Sequence, residues 1–309
     1  MPRTNVVKKD TFHYLWSKAH PPVLNIKPGD RVHFEVNETS SWQITEKSKA
    51  EDLAKIDETK WYPLAGPVYV EGAKPGDALV VNVEKVTPAS WGWTAIMPGF
   101  GLLEEFTDPR LYIWKLRAGS KYATFVKKLR IPLNPFCGVL GVAPQGDGYF
   151  DVMPPGKHGG NMDIRHLTNG SKVLLPVWND GALFSTCDLH ATQGDGEVCV
   201  SAIECPGEVT LSFELKKDAH LETPCYYSRP LFGIDRGYFG TTGISPDLME
   251  ATKQAVRSMI TFLQKNLGIT REEAYMLCSV AGELRTHEIV DRPNWVVGMM
   301  LPRSLIKEK

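Results

Sequence analysis

No Cys-x-x-Cys pair occurs among the six cysteines, Cys137, Cys187, Cys199, Cys205, Cys225 and Cys278. That removes the spacing of zinc ribbons and of thioredoxin-like redox motifs. The chain is also too long and too poor in cysteine for a disulfide scaffold, so six free thiols in a reducing compartment are expected. No apolar run approaches the roughly 18 residues that span a bilayer. Polar, basic residues 1–9 have no apolar stretch behind them, unlike a signal peptide. A cytoplasmic protein without a membrane partner is the expectation. Charge of one sign is scarce as well: 35 Lys and Arg face 36 Asp and Glu, for a net charge of -1. There is no basic patch or stripe to attract a nucleic acid. Also missing are a P-loop, a dinucleotide-binding glycine pattern, a Gly-x-Ser-x-Gly elbow and a Ser-x-x-Lys motif.

Turn residues are plentiful. Twenty-seven glycines and 22 prolines divide the 309 residues into short segments. Residues 31–36, 78–86, 111–116, 172–177, 197–204 and 209–215 are rich in β-branched and aromatic residues between turn signals, and read as strands. Few helical periods precede residue 245, so a mainly β chain of sandwich or barrel type is expected. Lys27-Pro28-Gly29-Asp30 and Lys74-Pro75-Gly76-Asp77 each lead into a strand; the echo fits either two similar β-layers or one common turn used twice. Helices gather late. Ser245-Pro246-Asp247 reads as N-cap, first helical residue and early acid. Leu248, Ala251, Ala255, Met259 and Leu263 then share one face, and Gly268 can close the helix. Thr270 with Glu273 reads as a capping box for a second helix towards Val280. Residues 295–301 read as a last buried strand. The expected division is a β-rich core over 1–220 with an α+β C-terminal part, 221–309, packed on it.

Polar residues concentrate over 157–197. Asn161 and Asp163 are two apart, as are Asp188 and His190. In extended chain such pairs point to one face, so two strands can bring three oxygens and one imidazole around a point. That set suits a divalent cation, Zn²⁺ or, with more oxygen, Ca²⁺. Glu197 stands at the mouth of an apolar segment, where burial raises a carboxyl pKa towards that of a general acid or base. His158 flanks the first pair as a further catalytic candidate. Cys187 is discounted as nucleophile, because its neighbour Asp188 takes the site-facing direction.

Several longer stretches resemble the acetamidase/formamidase family across nearly the whole chain. They are residues 66–77 (GPVYVEGAKPGD), Pro98-Gly99-Phe100-Gly101, residues 138–144 (GVLGVAP), His158-Gly159-Gly160-Asn161-Met162-Asp163, Gly181-Ala182-Leu183-Phe184-Ser185 and residues 188–197 (DLHATQGDGE). The resemblance implies a β-sandwich or jelly-roll fold with barrel-like parts, a homodimer or higher oligomer and a bound divalent metal. It implies a hydrolase that converts short aliphatic amides such as formamide or acetamide to carboxylate and ammonia. On this reading Asn161, Asp163, Asp188 and His190 hold the metal, Glu197 carries the proton, and the N–H groups of Gly159-Gly160 face the oxyanion. The sequence departs from the family pattern at Cys187, where glycine is common, and at residues 283–287, ELRTH in place of Asp-Leu-Arg-Ile-Ser. Two other readings stay open: a hydrolase of another C–N bond, cyclic or urea-like, and a non-catalytic, metal-containing small-ligand-binding protein.

Overall fold

The structure, a computed structural model, describes residues 4–229 and 237–306. Two large sheets dominate it. The first has nine strands in the order Thr4–Val7, Arg31–Val36, Gly207–Lys216, Ala78–Pro88, Lys172–Pro176, Cys225–Tyr227, Tyr238–Ser245, Trp295–Pro302 and Glu283–Glu288. The second runs Gly159–Asn161, Phe136–Gly141, Phe184–His190, Leu64–Val70 and Phe12–His13, with Leu24–Ile26 parallel to Leu64–Val70. Apolar side chains from both sheets meet in one core. Phe34 and Phe213 of the first lie edge-on to Phe184 of the second, at 5.9 and 5.1 Å between ring centres. The chain is therefore mainly β and of sandwich type. Among the described residues neither sheet closes into a barrel.

Most expected strands are present, and the Pro-Gly echo is a turn used twice. In both copies the aspartate accepts from the lysine N–H at 2.9 Å, and its own N–H donates to the lysine carbonyl at 3.0 Å. The two strands that follow flank Gly207–Lys216 in one sheet, so they do not mark separate layers. One strand expectation fails. Residues 197–204 form a loop, in which Glu197 and Val200 take positive φ (45° and 69°) and turn the chain out of the extended conformation. The alternation there reflects Ala202 and Ile203 tucking into the interior one by one.

Helix α1 (Leu248–Leu267) buries Ala251, Ala255, Met259, Ile260 and Leu263 against Phe239, Val297, Met299 and Leu301 of the nine-stranded sheet. Leu248 stays out at 37% exposure. The N-cap is Asp247, whose side chain accepts from Glu250 N, and not Ser245, which ends the preceding strand. A carboxylate one residue before the first turn reaches the free N–H groups that Ser245 is too far back to satisfy. Gly268 closes α1 at φ 68°, and Thr270 and Glu273 make the capping box of helix α2 (Arg271–Ala281). Among the described residues no helix is long and apolar enough to cross a membrane.

Candidate active site

The Phe136–Gly141 strand pairs on one side with Gly159–Asn161 and on the other with Phe184–His190. The two sequence pairs therefore arrive on neighbours of a common strand. Gly138, at its middle, has no side chain, and the space is used: a Cβ there would come 2.8 Å from Asp188 Oδ2 and 2.9 Å from His190 Cε1, and would meet Asp163 Oδ1 closer still. Asp163 and Asp188 are both held at positive φ (49° and 59°), a conformation Asp tolerates better than most residues. This aims both carboxylates into the gap over Gly138.

His190 sits at the centre. Its Nε2 lies 3.2 Å from Asp188 Oδ2, 3.0 Å from Glu204 Oε2 and 4.0 Å from Glu197 Oε1, and its Nδ1 lies 3.6 Å from Asp163 Oδ1. The tautomer follows from Gln193. The Gln193 amide nitrogen donates to the Asp163 carbonyl at 3.0 Å, so Gln193 Oε1 faces His190 Nδ1 at 2.9 Å and accepts its proton. In the neutral ring the Nε2 lone pair then points into a set of carboxylates. Lone pairs facing one another repel unless a proton or a cation stands between them. The groups Asp163–His190–Glu197 and Asp188–His190–Glu204 each have ligand atoms within 4.8 Å of one another, all buried.

The electrostatics say the same. Burial lifts the Asp163 pKa to about 7, helped by Asp188, and lifts Glu204 to about 8. Glu197 is driven well above its ordinary value by burial and by Asp163. Burial also works to raise Asp188, but the adjacent His190 brings it below the usual carboxylate value. Burial disfavours charge on His190, yet Glu204 and Asp188 raise its pKa far above 6.5. Several oxygens have no hydrogen-bond partner: Asp163 Oδ1 and Oδ2, Glu204 Oε2 and Asn161 Oδ1. Glu204 Oε2 is near His190 Nε2 without the alignment of a hydrogen bond. Buried polar atoms are normally satisfied. A buried cluster of carboxylate oxygens with one imidazole, cradled over a glycine, fits a divalent cation.

Asp163, Asp188, His190 and Glu197 thus come together. Asn161 stands beside them, its Nδ2 donating to Asp291 Oδ2 at 2.8 Å. His158 belongs to neither group. It packs edge-on to Trp16 at 5.1 Å, and burial alone lowers its pKa to about 4. Gly159 N–H, expected to face an oxyanion, is committed to Gly156 O at 2.9 Å. Cys187 is buried among Trp16, Leu64, Val139 and Val152, where burial first of all holds its thiol neutral. Sequence reasoning missed Glu204, which bridges to His190, and also Glu288 and Asp291. Asp291 and Glu288 are buried carboxyls whose pKa values rise through burial and through the neighbouring acids. The available signal was a lone acid inside an apolar run, as in Ala202-Ile203-Glu204-Cys205.

A family profile described as "Acetamidase/Formamidase family" matches residues 2–148 and 150–308. A formamidase of Methylophilus methylotrophus is 28% identical over 96% of this chain and 89% of its own. The crystal structure of an acetamidase from Bacillus halodurans superposes with a TM-score of 0.90 at 32% identity, covering 97% of this chain and 98% of that one. A gamma lactamase from Delftia acidovorans gives a TM-score of 0.67 at 25% identity, over 97% of this chain and 90% of that one.

Proposed function

Because the chain belongs to the acetamidase/formamidase family, we propose that the cluster over Gly138 hydrolyses short aliphatic amides of the formamide or acetamide type to carboxylate and ammonia, with a divalent cation bound. Curated relatives named formamidase and acetamidase support an amidohydrolase acting on linear amides. The observation that carries the site assignment is the convergence of Asp163, Asp188, His190, Glu197 and Glu204 in a buried gap with unsatisfied oxygens.

Asp163, Asp188, His190 and Glu204 would hold the cation, Zn²⁺ or Ca²⁺, with Asn161 Oδ1 available beside them. When bound, the cation supplies Lewis-acid polarisation of the amide carbonyl and acidifies a water. Glu197 is the proton carrier. It sits at the edge of the group, 4.0 Å from His190 Nε2, and its raised pKa lets it take a proton from the attacking water and give it to the departing nitrogen. That transfer is required because an unprotonated amide nitrogen is a very poor leaving group. Gln193 keeps the His190 proton on Nδ1, the hydrogen-bonding role usual behind a ligating imidazole. His158 is kept as a neutral imidazole whose buried Nε2 has no partner among the described residues.

The test is ammonia release from formamide and acetamide before and after chelation. Activity falls on removal of metal and returns on adding it back; full activity in demonstrably metal-free protein rejects the scheme. Glu197→Gln should lose turnover and keep its metal. A second reading, hydrolysis of a cyclic amide, is favoured by the likeness to a gamma lactamase; ring opening frees no ammonia, so formation of the amino-acid product from a lactam, followed beside ammonia release from the linear amides, decides between them. A homodimer or larger assembly in the cytoplasm completes the proposal. Six free cysteines support the reducing compartment, and light scattering tests the assembly. The reading also keeps a β-rich core over residues 1–220 and an α+β part over residues 221–309 packed on it, with strands of both in one sheet.

A further inference from the structure

A second polar cluster lies outside the groups described above. His166, Asp195 and His287 each place a ligand-type atom within 4.8 Å of the other two. His287 is fully buried and His166 is 6% exposed. His166 Nε2, Asp195 Oδ1 and His287 Nδ1 are buried and have no hydrogen-bond partner. The two imidazoles stand 5.9 Å apart between ring centres, inclined at 73°. Three unsatisfied donor atoms from three separate parts of the chain, one of them on the fully buried His287 ring, converge.

The surrounding bonds prepare these atoms. His287 Nε2 lies 2.9 Å from the Tyr226 hydroxyl. With the ring proton on Nε2 and donated to Tyr226, the Nδ1 lone pair is left for a ligand. Arg285 donates to Asp195 Oδ2 at 3.0 Å, which fixes the carboxylate and leaves Oδ1 free; Glu283 in turn neutralises Arg285. Burial lowers the His166 pKa to about 4 and holds that of His287 well below its ordinary value, so both rings are neutral and able to coordinate. Two imidazoles and one carboxylate form a donor set suited to Zn²⁺ or a similar transition-metal dication, with room for a fourth ligand. Bonds of about 2.0–2.1 Å would put the donors about 3.4 Å apart, where they now lie within 4.8 Å of one another.

We propose that His166, Asp195 and His287 form a second metal site, selective for a transition-metal dication, which fastens the loop carrying Glu197. Asp195 and Glu197 lie two residues apart on that loop. Gly196 between them donates to the His287 carbonyl at 2.9 Å and bridges to Glu288. A metal held by Asp195 and His287 therefore ties this loop to the Glu283–Glu288 edge strand, and His166 adds the segment that follows Asp163. Metal binding here stands independently of the proposed amide hydrolysis; only its effect on Glu197 rests on that reading.

The experiment is a count of Co²⁺ retained by the full chain after chelation, reloading and dialysis, read by elemental analysis and visible absorption, with no amide present. The wild type should retain one Co²⁺ more than Asp195→Asn and His287→Ser. Asp188→Asn should lose the other equivalent and keep the absorption of the second site. Asp195 is partly exposed, so its variant serves if the buried His287 change prevents folding. Equal retention by wild type and Asp195→Asn, with formamide hydrolysis intact, overturns this inference and leaves the first site standing. A Co²⁺ equivalent lost on Asp195→Asn in a protein without amidase activity supports this inference and rejects the amidase reading alone.

Discussion

At Gly138 the chain omits a side chain where two carboxylates and an imidazole need the room, and the missing atom is as much part of the site as the groups above it. Gly138→Ala should leave a folded protein with at least about 100-fold lower kcat/KM, since displacements near 1 Å cost that much in an aligned site; steady-state kinetics with circular dichroism checks both halves. Gln193→Leu removes the acceptor that fixes the His190 tautomer. Metal affinity should fall about 10–100-fold, measured by competition with a chromophoric chelator. The Asp-x-His pair was legible because strand spacing puts residues two apart on one face. Glu204 was not, because its approach depends on the reversal at Glu197 and Val200, and positive φ at non-glycine residues leaves no trace in an apolar alternation.

Helix α1 lies directly on the strand Tyr238–Ser245, and Gly243 is what permits it. A Cβ at that position would sit 2.7 Å from Ala255 N and nearer still to the Ala251 backbone, so Gly243→Ala must push helix and sheet apart. A loss of about 1–3 kcal/mol is expected from such overpacking, read by urea unfolding. Thr270→Ala, which opens the capping box of α2, should cost only about 1 kcal/mol, because that helix end is exposed and the change removes a bond without a collision. Both helices, their glycine stop and the capping box could be seen beforehand, since their signals are local. The N-cap was misplaced by two residues because serine and aspartate serve equally well as caps, and only the exit of the strand decides between them.

For the whole molecule, burial of acids in one place has a cost that depends on pH. Asp163 is raised to about 7, and Glu204 and Glu288 to about 8, in each case chiefly by burial. Below about pH 6.5 His13 and the buried His158, His166 and His287, whose pKa values burial lowers, work the other way; above it the folded, metal-free protein binds more protons than the unfolded chain, so stability falls as pH rises from about 6.5 to 8. Scanning calorimetry of chelated protein from about pH 6.5 to 8.5 should show Tm decreasing, and a divalent cation should flatten the slope by taking the place of the protons. A Tm that rises over this range without metal would contradict the arrangement. The sandwich could be foreseen from turn density and alternation. The participation of Glu288 and Asp291 could not, since nothing in a local pattern shows that a segment a hundred residues downstream closes a cluster begun at Asp188. The same closure has a consequence for biosynthesis. A nascent chain that has not yet released Asp291 leaves Asn161 Nδ2 without its acceptor, so the cluster is finished only when the last part of the chain has emerged.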